Sequence, residues 1–331
     1  MAGLAFALVV ALVAAVAVGS TAVPPATVAA VVARHLGFPA AVTWAPAEDA
    51  IVWQLRLPRA LAAALVGAAL ATSGALFQGL FRNPMADPFV LGISSGAAFG
   101  ATLALALPVL ALAPSAAPVA LWAGLSGNAT VPLCAFAGAL LTATVVAGVA
   151  RRGTRLPVTD LLLAGFATAA VLGAATTLLL VMSDRLLLRL RTVFAWMAGV
   201  LVALSLARWL DAFQLGEEGA ATVGVPVETA KLAVVAVAAL LTAAAVTLSG
   251  LIGFVGLLVP HAIRLVAGPE NVRLLPAAAL GGAVFLVFAD LLARTVFAPV
   301  EVPVGVLTAL VGGPAFLLLL KRSRSARRWG G

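Results

Sequence analysis

Long apolar runs constrain this fold more than any other feature of the sequence. A helix needs about 20 apolar residues to cross a bilayer. Ten runs near that length lie along the chain, at about 3–19, 58–81, 92–112, 130–150, 160–182, 193–210, 231–250, 251–267, 275–296 and 304–320. Only 10% of the residues are charged, too few to cover a soluble protein of this size. The runs predict an all-α, polytopic membrane protein of about ten transmembrane helices, with residues 1–331 as a single transmembrane domain.

The first run can also be interpreted as a secretory signal peptide. It lacks the positively charged start that such peptides carry, and many further apolar runs follow it. We therefore expect an uncleaved first helix.

Several classes of function find no support in the composition. The single cysteine, Cys134, lies in an apolar run, which excludes a disulfide framework and a site with several cysteine ligands. No cluster of Asp, His or Cys within the runs suggests an enzyme site, and we expect no metal site. The net charge of +8 comes from basic residues dispersed between apolar runs, which fits membrane flanks and not nucleic acid.

The basic residues also predict the orientation. If the N-terminus is cytoplasmic and ten spans follow, most of the 20 Lys and Arg residues fall on the cytoplasmic side, partly in a basic tail at 321–331. Both termini are then cytoplasmic. Seven arginines fall on the outer side, where they either reach lipid phosphates or form a docking surface for an acidic partner or anionic ligand: Arg34, Arg56, Arg59, Arg185, Arg189, Arg191 and Arg294.

The second run contains small and polar residues that indicate close helix packing. Gly67, Ala71 and Gly74 share one face, a pattern that lets membrane helices approach closely. Ser73 and Gln78 lie on the same helix, and polar side chains within a bilayer normally face protein or water. We expect this helix to be buried against others or to line a pathway, with Gln78 as the pathway candidate.

Two blocks of sequence resemble the FecCD-type (BtuC-like) permeases. The first block contains LRLPR at 55–59, GAALA at 67–71, NPMADP at 83–88 and LGISSGA at 91–97. The second contains SGLIGFVGLLVPH at 249–261, ADLLAR at 289–294 and EVPVG at 301–305. These permeases are the membrane subunits of ATP-binding-cassette importers for iron-siderophore, haem or cobalamin, and the blocks follow the family's order through nearly the whole chain.

The resemblance implies a permease subunit in the cytoplasmic (inner) membrane of a bacterium, working by alternating access. The implied partners are a second copy in a homodimer, two cytoplasmic ATPase subunits, a periplasmic or lipid-anchored substrate-binding protein and membrane lipid. The sequence contains no G-x-x-x-x-G-K-[ST] phosphate loop. ATP and Mg are therefore expected in the partner ATPase, with no cofactor and no enzyme activity in this chain.

The resemblance also assigns roles to individual residues. It implies that Arg56, Arg59 and Arg294 dock the binding protein. Residues 211–230 are expected to form the cytoplasmic segment that couples to the ATPase, although an ordinary amphipathic connector is the alternative. The residues assigned to coupling are Leu215, Gly216, Glu217, Glu218, Ala221 and Gly224.

The corner after the second run resembles the family's cytoplasmic gate. Proline at position 84 disfavours helix at the preceding residue and fixes a turn. Asn83 and Met85 would narrow the pathway there, with Thr159 as a partner, unless the corner is simply a turn that ends the helix.

Two further residues have competing interpretations. His261 could be a haem ligand, but its place in a general family motif favours a structural role. Asp290 is expected to pair with Arg294, four residues later on the same helix, and not to carry protons.

Between about 196 and 215 the chain departs from the family pattern, because it is about twenty residues shorter there. The run at 193–210 can still cross by drawing on the preceding connection. If it does not cross, nine transmembrane helices remain and the basic tail lies on the outer side. That orientation conflicts with the expected excess of basic residues on the cytoplasmic side.

An ion-gradient-driven secondary transporter is the alternative function. Such a transporter is expected to carry carboxylates within the membrane. The acidic residues here fall almost entirely in connections or at the ends of runs, which favours the ATP-driven importer.

Overall fold

The computed structural model describes residues 1–110, 130–151 and 193–315, apart from 20, 22, 40–42, 85, 89–91, 297 and 299. It also describes scattered positions between 164 and 176. This part of the chain is helical, with no strands, and the expected all-α membrane fold is confirmed. The predicted run at 160–182 and the basic tail at 321–331 lie largely or wholly outside the described residues.

The described helices follow the apolar runs closely. They are α1 (Ala2–Ala17), α2 (Pro25–His35), α3 (Pro46–Leu80), α4 (Ile93–Leu110), α5 (Thr130–Ala150), α6 (Val193–Ser205), α7 (Ala207–Phe213), α8 (Glu217–Thr222), α9 (Val227–Ser249), α10 (Val255–Ala267), α11 (Asn271–Thr295) and α12 (Val304–Ala315). Four of them, α3, α5, α9 and α11, are long and apolar enough to cross a membrane, and several shorter apolar helices accompany them.

Helices α3 and α11 form the central pair of the bundle. A Cβ atom on Gly67 would collide with the backbone carbonyl of Gly282, and one on Gly282 would collide with Gly67. Gly74 meets the backbone of Gly256 on α10 in the same way. The predicted close packing through Gly67 and Gly74 is confirmed, because backbone lies where a larger side chain would have to go.

Ser73 and Gln78 of α3 are buried, as expected. The Ser73 hydroxyl donates to the Ala238 carbonyl at 2.9 Å, and its oxygen lies 2.9 Å from the Thr242 hydroxyl, both on α9. Gln78 is fully buried and donates from Nε2 to the Gly256 and Leu257 carbonyls. These hydrogen bonds join α3 to α9 and α10 inside the bundle.

Two features of the first 60 residues were not predicted. Helix α3 begins at Pro46, not near 58, because Pro46 occupies the first turn and the Glu48 carboxylate accepts the Ala45 N–H at 2.9 Å. The π-helical turns from 51 to 56 then join this start to the main helix, just before Pro58. The short helix α2 is too short to cross and buries only Val28 and Val31, so a search for long apolar runs misses it.

Two predicted runs are shorter as helices than expected. Helix α10 begins at Val255, not 251, because Gly250 and Phe254 both adopt positive φ angles of 69° and interrupt the helix. The run at 193–210 divides at Leu206 into α6 and α7. The 13 residues of α6 measure about 20 Å, less than the roughly 30 Å of a hydrocarbon core.

Candidate functional site

Functional candidates lie at two opposite ends of α3 and α11, which run antiparallel. We call one the arginine end, where Arg56, Arg59 and Arg294 lie, and the other the corner end, where residues 82–84 and α8 lie. Twenty-four α-helical residues from Leu57 to Leu80 separate the two ends by about 36 Å, which is enough to span a bilayer.

Arg56 at the arginine end is buried and binds the end of α1. Its guanidinium donates to the carbonyls of Val16 and Ala17 at 3.0 and 3.1 Å, and to the carbonyl of Thr21. The last carbonyls of a helix have no partner within it, and a cation there is favoured by the helix dipole. Arg56 therefore closes the C-terminus of α1.

Arg294 is buried beside Arg56 and supports the same helix end. Its Nη2 donates to the Ala15 carbonyl at 3.0 Å. Its Nε lies 3.1 Å from a carboxylate oxygen of Asp290, an ion pair that lacks the alignment of a hydrogen bond. The predicted pairing of Asp290 with Arg294 is confirmed.

Arg59 is the arginine of the three whose side chain is substantially exposed, at 39%. It donates to Asp290 at 3.0 Å and to Glu301 at 2.8 Å, and the Glu301 side chain is itself 56% exposed. Two carboxylates thus face three guanidinium groups, which leaves one net positive charge. Docking of the binding protein stays a prediction for all three arginines. The exposed side chain of Arg59 makes it the best candidate of the three.

The corner end begins where α3 stops. Arg82 has a left-handed φ of 49°, and the backbone then turns with Asn83 N–H donating to the Gln78 carbonyl at 3.2 Å. Arg82 is exposed, and its Nη1 approaches Gly216 at the start of the α8 segment. Met85 and Thr159 lie outside the described residues, so the gate stays a prediction.

Helix α8, within the predicted coupling segment, is a short helix bounded by two glycines. Gly216 and Gly224 have φ angles of 93° and 87°, a conformation in which a side chain would be strained. Ala220 is fully buried and holds the helix against the bundle. The side chains of four of the predicted coupling residues are exposed: Leu215, Glu217, Glu218 and Ala221.

Asp211, which the sequence analysis missed, connects this segment to α11. Its Oδ1 accepts the backbone N–H of Asn271 at 2.6 Å and the Asn271 side-chain amide at 2.9 Å. Its Oδ2 accepts the Val272 N–H at 3.4 Å. Nearby, Gln214 donates to the Pro269 carbonyl at 3.0 Å. Asp211 therefore caps the N-terminus of α11 from another helix. No local sequence pattern predicts a cap of this kind.

The described residues contain no group of three His, Cys, Asp or Glu side chains that could hold a metal ion. His261 lies on α10 beside the corner end and faces the cavity described below.

Comparison with known proteins places the chain among transport proteins. The chain is 44% identical over 308 residues to the hemin transport system permease protein HmuU of Yersinia pestis, covering 86% of this chain and 88% of that one. It is also 44% identical over 300 residues to the cobalamin import system permease protein BtuC of Halobacterium salinarum, covering 84% and 74%.

A solved structure of similar fold is described as a metal-chelate type ABC transporter in an inward-facing conformation. It matches with a TM-score of 0.72 and 27% identity over 97% of this chain and 98% of that one. The sequence profile of the FecCD transport family matches residues 7–322, nearly the whole length. The chain belongs to the FecCD transport family.

Proposed function

We propose that this chain is the permease subunit of an ATP-driven importer that moves a metal chelate across the cytoplasmic membrane by alternating access. The observation that carries the proposal is the exposed, glycine-bounded helix α8, which follows α7, the helix whose Asp211 binds the start of α11. An ATPase subunit that displaces α8 would move α11 through that connection.

The partners follow from this arrangement and from the family. Two cytoplasmic ATPase subunits would contact the exposed side of α8 and supply ATP and Mg, so this chain needs no cofactor of its own. A second copy of the chain would complete a central pathway between two permeases. The corner end, the N-terminus and the C-terminus would then be cytoplasmic, with the arginine end outside.

A substrate-binding protein would dock at the arginine end. An Arg guanidinium binds a carboxylate bidentately, and Arg59 is exposed enough to exchange Glu301 for a carboxylate of the partner. Arg56 and Arg294 would support this surface from below by fixing the end of α1.

The substrate class comes from the relatives. The two most informative are named for hemin and cobalamin transport, and the solved structure is described as a metal-chelate transporter. We propose a ferric siderophore, haem or cobalamin as the cargo, with Asn83 and Met85 at the inner gate and Gln78 near the pathway.

Reconstitution with the partner ATPase and binding protein tests the proposal. We expect deletion of 217–224, or the milder Ala221→Arg on the exposed side of α8, to abolish ATPase association and ATP-dependent uptake. Leu36→Arg, at a similarly exposed apolar position beyond α2 and away from α8, is the control for ATPase association and should retain it. Uptake that continues in the Ala221→Arg variant, or that needs only a proton gradient, would refute the proposal.

A further inference from the structure

A cavity of about 360 Å³ lies at the corner end, between the end of α3, helix α10 and the start of α11. Its wall carries both donors and acceptors, from Gln78, Arg82, His261, Arg264 and Asn271. No Asp or Glu of the described chain is among the residues that line it. The cavity therefore carries positive charge from Arg82 and Arg264.

Some nitrogen atoms of Arg264 and His261 in this wall are buried and without a partner. Nε and Nη2 of Arg264 are shielded from solvent and have no hydrogen-bond partner among the described residues, and the same holds for Nδ1 of His261. Arg264 as a whole is half-buried, and leaving two shielded donors of a charged group without a partner is costly. Asp211 binds the start of α11 and does not line the cavity.

The acceptors are equally unused, and their orientation is fixed. Gln78 must direct Nε2 at the carbonyls of Gly256 and Leu257, which leaves its Oε1 without a partner. Asn271 directs Nδ2 at Asp211, which leaves its Oδ1 without a partner. Both side chains are fully buried, and flipping either amide would set an oxygen against an oxygen.

We propose that this cavity binds a phosphate-type anion that also carries hydroxyl groups. The phosphate oxygens accept from Arg264, with Arg82 closing the rim, and the hydroxyls donate to Gln78 and Asn271. Charge-assisted bonds from Arg to phosphate suit such a ligand. Water could satisfy the two amide oxygens, but it brings no negative charge for the guanidinium.

Two sources offer this chemistry: the headgroup of phosphatidylglycerol and a free phosphate. The lipid is favoured by Leu265, which lines the same cavity and is 76% exposed, so that apolar surface adjoins the polar wall. The inference does not depend on the proposed transport function, because binding is measured on the permease alone.

The test uses delipidated, purified chain in three arms: nanodiscs of phosphatidylcholine with phosphatidylglycerol in phosphate-free buffer, phosphatidylcholine discs with inorganic phosphate, and phosphatidylcholine discs with neither. Native mass spectrometry counts retained phosphatidylglycerol, and the thermal unfolding midpoint reports stabilisation by either ligand. We expect Arg264→Gln to weaken binding by about tenfold or more. Arg273→Gln is the control, because Arg273 lies at the same end but is 74% exposed and pairs with Glu270 outside the cavity.

Each outcome is decisive. Retention of phosphatidylglycerol that Arg264→Gln removes and Arg273→Gln keeps supports the lipid. Stabilisation by phosphate alone with the same pattern supports a free anion. Equal behaviour of the two variants, or no binding in any arm, overturns the inference. If Arg264→Gln does not fold, the exposed rim variant Arg82→Gln takes its place, with a smaller loss of binding expected.

Discussion

Removing the cap that Asp211 places on α11 should loosen the start of that helix and uncouple the transporter. Loss of an N-cap costs about 1 kcal/mol, and leaving the buried Asn271 amide unpaired costs a further 1–3 kcal/mol, approximately. Asp211→Ala should therefore lower local stability by about 2–4 kcal/mol. At about 1.4 kcal/mol for each factor of ten, even the lower value predicts roughly thirtyfold faster exchange of the Asn271 and Val272 amide hydrogens.

Hydrogen exchange measured by mass spectrometry on peptides covering 271–275 gives the local readout. Asp211→Asn keeps one acceptor oxygen and should show a smaller increase. Glu270→Ala is the control, because the Glu270 carboxylate pairs only with Arg273 in the described structure and caps nothing. In the reconstituted importer, Asp211→Ala should raise the ATP hydrolysed per substrate moved. Exchange at 271–272 that matches the wild type, or that rises equally in Glu270→Ala, would show that Asp211 does not hold α11.

Three further predictions follow from the packing and the arginine end. Gly67→Val should destabilise the fold by at least about 1–3 kcal/mol because the new side chain meets the Gly282 backbone. Gly148→Ala should not, because a Cβ there meets nothing within 4 Å. Equal unfolding midpoints of the two variants would contradict the close packing at Gly67. Arg56→Ala should lower the unfolding midpoint by several degrees, because the carbonyls at the end of α1 lose their hydrogen-bond donor. An unchanged midpoint would mean that water replaces the guanidinium as the donor. Arg59→Ala should reduce affinity for the binding protein about tenfold, measured by surface plasmon resonance, with little change in the unfolding midpoint. Unchanged affinity with a lower midpoint would contradict docking by Arg59.

Features that depend on nearby residues could be predicted from the sequence. The apolar runs predict the membrane helices, because length and hydropathy decide whether a segment can cross a bilayer. Gly67 and Gly74 indicated close packing of the second apolar helix. The pair of Asp290 and Arg294 follows from helical spacing, since residues four apart lie on the same face.

Features that depend on distant partners could not be predicted. Arg56 lies close to Arg59 in sequence, yet one binds carbonyls of α1 and the other binds Glu301, more than 240 residues away. The same sequence pattern is compatible with either environment. Asp211 was missed because its cap closes a helix 60 residues later, and Pro46 was missed because the helix start lies outside the apolar run.

The non-helical stretch from Gly250 to Phe254 separates two neighbouring helices. A continuous helix transmits both twist and axial force from one end to the other, whereas a break in the helix interrupts that path. Helices α9 and α10 can therefore lie at different angles while both pack against α3, α9 at Ser73 and α10 at Gln78. Helix α3 thus holds together two helices whose backbone is not continuously helical.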